Sequence, residues 1–130
     1  MGILDIFFGK GAIFGRTTVG SESEDKIKKD WLKIKDLIKL GGPSNLRQAL
    51  IFADRSLDTA LRDIFPGETM GERLKEAKDK FDRPVYNAIW EAHKLRNSVV
   101  HEAGFEPPYY SVLQAIEDLK KALGLLGVNV

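Results

Sequence analysis

The spacing of its apolar residues is what most constrains this chain. From Ile27 to Leu126 they recur every three or four positions, in blocks separated by glycine and proline. Ile27, Trp31, Ile34, Leu37 and Ile38 make one such set, and Leu46, Ala49, Leu50, Ala53, Leu57, Ala60, Leu61 and Ile64 a second, broader stripe. Val112, Ala115, Ile116, Leu119, Leu123 and Leu126 repeat the pattern near the C-terminus. A three-to-four spacing puts these side chains on one face of a helix, whereas strands need alternation at period two, which no segment here shows with its own turn signals. No repeat at a solenoid period is visible. The pattern predicts an all-α domain, an up-and-down bundle of four to five helices.

Punctuation supplies the boundaries. Ser21 with Glu24 has capping-box spacing ahead of a helix over 25–40, which "GGP" at 41–43 ends. Ser44 caps the second helix, and Pro66-Gly67 breaks it. Thr69 and Glu72 form another capping box, opening a third helix over about 70–81 whose "ERLKEAKDK" reads as a solvated face of side-chain pairs. Asp82 and Pro84 open a fourth, stopped by Gly104. Pro107-Pro108 start the fifth, and Gly124 and Gly127 are expected to fray its end.

With 130 residues, 43% of them hydrophobic and 30% charged, the chain has the size and composition of one soluble domain. Cysteine is absent, which excludes disulfides, thiolate nucleophiles and cysteine zinc sites, and fits a reducing, cytoplasmic location. The formal charge is +1 and evenly spread: eight basic against six acidic groups in residues 1–43, seven against eight in 44–82, five against five in 83–130. No segment has the basic excess of a protein that grips long nucleic acid through phosphates alone, so nucleic-acid chemistry would have to come from a local site.

Residues 1–20 read as an apolar arm apart from the 21–130 domain. The uncharged runs of "MGILDIFFGKGAIFGR" are too short to span a membrane, and a secretory cleavage site is lacking. Gly2 suggests myristoylation, but Ile6 stands where that motif needs Ser or Thr. The arm is expected to be a flexible terminus, or a contact with a protein partner or a membrane surface.

Three groups of polar residues bear on chemistry. Asp54, Asp58 and Arg62 follow at four-residue steps, which reads as a surface acid–base ladder before it reads as a metal site. His93, Asn97 and His101 line one face of the fourth helix, but two histidines without a third ligand do not make a zinc site. Neither metal nor cofactor is expected. Within "KLRNSVVHE", Arg96 and His101 stand about 140° apart around a helix and flank a shared groove. A fixed cation, an amide and an imidazole suit cleavage of RNA. The imidazole exchanges a proton with the ribose 2′-hydroxyl or the leaving oxygen, the guanidinium neutralises charge on the phosphorane, and Asn97 orients either.

"HKLRNSVVHE", placed at the end of the penultimate helix of an all-α domain, resembles the signature of the HEPN (higher eukaryotes and prokaryotes nucleotide-binding) superfamily. That signature is Arg, a polar residue that is often Asn, then a short spacer and His, and Arg96, Asn97 and His101 match it. An earlier helix of the "ALIFADRSLDTALRD" kind and an amphipathic helix after the motif agree, so the resemblance spans roughly residues 25–126. It implies a homodimer whose two motifs meet in a cleft, acting as a metal-independent endoribonuclease on RNA, often as a toxin or defence effector. The same resemblance also covers members that have lost activity and serve as modules for dimerisation, partner binding or nucleotide binding. A plain structural domain with His101 buried and satisfied is a third reading.

Overall fold

A computed structural model describes residues 16–130 of the protein. They form α1 (Ser21–Leu40), α2 (Pro43–Ile64), α3 (Met70–Glu76), α4 (Arg83–His101) and α5 (Tyr109–Leu125), with a single 3-10 turn at Lys78–Lys80. No strand occurs among the described residues, so the architecture is the all-α bundle that the apolar spacing predicts. Most of the apolar arm, residues 1–15, lies outside the described residues. Among the described residues no helix is long and apolar enough to cross a membrane.

α2 is the central element and packs against the other four helices. Its stripe Leu46, Ala49, Leu50, Ala53, Leu57, Ala60 and Leu61 is buried throughout. Three alanines in that stripe allow neighbouring backbones to come close. Gly41 and Gly42, at φ +73° and +88°, turn the chain from α1 into α2 in a conformation that a side chain would strain. The two helices then run antiparallel. Gly20 N–H donates to Asp63, Asp30 pairs with Arg55, and Trp31 Nε1 donates to Ser56 Oγ, so numbers fall along α2 as they rise along α1.

Several boundaries differ from the sequence expectation. α1 starts four residues early, with Gly20 at its N-cap in place of Ser21, because Asp63 of α2 accepts the Gly20 N–H at 2.8 Å. Ser44 lies inside α2, with Gly42 at the cap and Pro43 in the first turn. Half of the α3 capping box forms: Thr69 Oγ1 accepts from Glu72 N at 3.1 Å, while the Glu72 carboxylate accepts from Glu68 N, one residue before the cap, in place of Thr69 N. α3 itself stops at Glu76, since buried Ala77 and Phe81 turn the chain back onto the core. Nor is α3 solvated all round, because Arg73 is buried. The C-terminus does not fray. Around Gly127, at φ +95°, Val128 N–H donates to Leu123 O and the Val128 side chain closes onto the core.

Candidate functional site

α4 lies along the bundle with Ile89, Ala92 and Val99 buried. That anchoring fixes the angular position of the residues beside them, and His93, Arg96 and Asn97 fall at i, i+3 and i+4 on the flank facing α2. Opposite them stands Asp54, which is 1% exposed. Its carboxylate receives His93 Nδ1, at 3.2 Å from Oδ1 and 3.1 Å from Oδ2, and its Oδ2 also lies 3.5 Å from Arg96 Nε. Arg96 Nη1 in turn donates to Asn97 Oδ1 at 2.7 Å. A buried carboxylate without cations would be strongly disfavoured, and here two side chains of α4 supply the compensation.

One turn along α2, Asp58 takes the fork of Arg73. Nε donates to Oδ1 at 2.8 Å and Nη2 to Oδ2 at 3.0 Å, while Nη1 reaches the Gly67 carbonyl. Arg62 approaches the same carboxylate at 3.5 Å from the solvent side. The ladder expected from the four-residue spacing is therefore present between Asp58 and Arg62. Asp54 does not belong to it, because the helix turns that carboxylate inward. Each acid is held by cationic side chains of other helices.

These two clusters form the floor of an open, polar cleft of about 560 Å³ between α2, α3 and α4, with Thr69 and Gly71 at its rim. Arg55, Arg62, Arg73 and Arg96 line it against Asp54, Asp58 and Glu68, which leaves an excess of one positive charge with His93 neutral. Along α4, Tyr86, Trp90 and His93 follow edge to face, with centroids 6.4 Å and 6.0 Å apart. A smaller and mainly apolar hollow of about 260 Å³ beneath Tyr109 touches Val99 but none of the motif's polar residues.

Of the motif residues, Arg96 and Asn97 are hydrogen-bonded to each other inside the cleft. His101 is exposed at the last residue of α4 and does not line the cleft. The reading in which His101 is buried and satisfied is thereby overturned: Arg96 turns towards the core and His101, 140° away, towards solvent. Asp54 and His93 complete the cluster and were not assigned to it from the sequence. A signal existed for Asp54, an acid flanked by Leu50 and Leu57 on the edge of the α2 stripe. His93, three residues before Arg96, had the spacing to share a partner with it. No protein-family model, curated protein or solved structure was found to match the chain.

Proposed function

We propose that this chain is a HEPN-like domain that cleaves RNA without a metal ion, at a composite site formed by two copies. The supporting observation is the fixed Arg96–Asn97 pair. Asp54 holds the guanidinium from behind, Asn97 holds one amino group, and the rest of the cation lines an accessible cleft. Such a prearranged cation favours charge that develops in a transition state over charge already present in the substrate. In the reaction, the ribose 2′-oxygen attacks phosphorus, its proton passes to an imidazole, and the P–O5′ bond breaks as the 5′-oxygen is protonated. Arg96 neutralises the phosphorane. Because His101 points away from Arg96 on its own helix, the scissile phosphate would meet Arg96 of one copy and His101 of the other.

A second reading is a helical module for dimerisation or for partner or nucleotide binding that does no chemistry. The charge of Arg96 is already matched by Asp54, an arrangement a purely structural role also explains. Incubating the purified protein with single-stranded RNA in EDTA separates the two. Cleavage by the wild type that disappears in Arg96→Ala and His101→Ala supports the ribonuclease. Cleavage that persists in those variants sinks it, and a dimer that leaves RNA intact favours the module.

A further inference from the structure

We propose that His93 is a second proton-transfer residue of this cleft and that Asp54 is its positioning residue. The inference rests on the ribonuclease reading. It starts from Asp54, the one carboxylate among the described residues that two side chains of α4 engage from across the bundle. Asp54 contacts His93 Nδ1 through both of its oxygens and faces the Arg96 guanidinium through one. A carboxylate set against a guanidinium acts as an acceptor, so the hydrogen belongs on Nδ1 and the lone pair on Nε2. The ring itself cannot swing freely. Asp54 holds one edge, and Trp90 packs against it at 69° with centroids 6.0 Å apart. His93 nevertheless keeps 12% of its side-chain surface accessible, and it lines the same cleft as Arg96 and Asn97.

A histidine whose Nδ1 is fixed by a buried acid, in a cleft that a prearranged cation also lines, is built to take up a proton at its other nitrogen. In the cleavage step Nε2 receives the 2′-hydroxyl proton as that oxygen bonds to phosphorus. The imidazolium that results is stabilised by Asp54, and the phosphorane by Arg96. The P–O5′ bond then breaks, and the 5′-oxygen takes its proton from the His101 imidazolium of a second copy. One proton is gained at His93 and one lost at His101, and exchange with water restores both. The division of labour also accounts for the geometry: the only other histidine of the chain is exposed at the end of α4, outside the cleft.

The test is a pH–rate profile on the full chain, with single-turnover cleavage of an RNA oligonucleotide in EDTA. Wild type, His93→Gln, Asp54→Asn and His101→Ala are compared, and nitrogen-15 NMR of the wild type reads the His93 tautomer. His93→Gln is expected to fall about a hundredfold and to lose the limb in which rate rises with pH. His101→Ala is expected to lose cleavage altogether. Asp54→Asn is expected to slow cleavage and to shift the limb belonging to His93, which a merely structural carboxylate would not move. Should His93→Gln fail to fold, the Asp54→Asn profile and the wild-type tautomer decide the matter. A His93→Gln protein that cuts at the wild-type rate with the wild-type profile overturns the proposal, as does a wild-type Nε2–H tautomer. A wild type that leaves RNA intact overturns the ribonuclease reading and this role with it, a result distinct from activity that survives without His93.

Discussion

Asp54 of α2 and Arg96 of α4 meet with Oδ2 and Nε 3.5 Å apart, a distance that makes an ion pair more than a hydrogen bond. The Nε atom is buried and has no better acceptor among the described residues. The pair joins the two helices that carry the cleft, so its removal bears on stability as well as on any chemistry. Asp54→Ala strands the Arg96 cation and leaves His93 Nδ1 without its acceptor, and is expected to destabilise the protein by about 3 kcal/mol. That is the low end for a broken buried pair, because Arg96 retains some access to water. Urea denaturation checks it. A loss under about 1 kcal/mol would mean that the pair does not hold α4 to α2.

Arg73 is the stricter case. Its side chain is only 7% exposed, and its planar fork grips Asp58 through two bonds while a third reaches Gly67 O. Arg73→Ala is expected to cost about 3–5 kcal/mol. Arg73→Lys should recover only part of that, since an ammonium lacks the fork geometry. Equal stability of the lysine variant and the wild type would show that charge alone suffices.

Trp31 and Ser56 give an asymmetric prediction. The indole donates to Ser56 Oγ at 2.9 Å, and that hydroxyl donates to Ala53 O at 2.7 Å. Ser56→Ala leaves a buried indole N–H without an acceptor, an expected cost of about 1–3 kcal/mol. When Trp31 is already phenylalanine, the same substitution should cost clearly less, because no donor is left unpaired. A double-mutant cycle by thermal unfolding measures the difference, and simple additivity would contradict the structural account.

His101→Ala separates the roles of the two histidines. His101 is exposed at a helix end, so its loss should leave the unfolding midpoint where it is. Under the proposed function it should abolish RNA cleavage all the same. A marked drop in stability on losing this side chain would mean that it is anchored in a way the fold does not provide for.

At the C-terminus, Gly127 holds φ +95° so that Val128 can fold back over α5. Gly127→Ala places a Cβ in the left-handed region and should cost about 1 kcal/mol, visible in thermal unfolding. No change would indicate that the terminal cap relaxes freely.

The sequence by itself determined the helices and their buried faces. Apolar spacing marks the stripes of α1, α2 and α5 nearly residue by residue, because burying one face of a helix demands that period. It also placed Arg96 and Asn97 side by side at a meaningful point in the chain. Only the tertiary structure decided what they touch. The partnership of Asp54 with His93 and Arg96 spans some forty residues and two helices, and depends on the depth and rotation at which α4 docks on α2. Local pairing rules assign Asp54 to the ladder of its own helix. Long-range packing turns it inward instead, where a carboxylate must find cations or be strongly disfavoured. The same docking sends His101 outward, and it gathers Arg96 and Asn97 of the motif into a cluster with Asp54, which the motif does not contain.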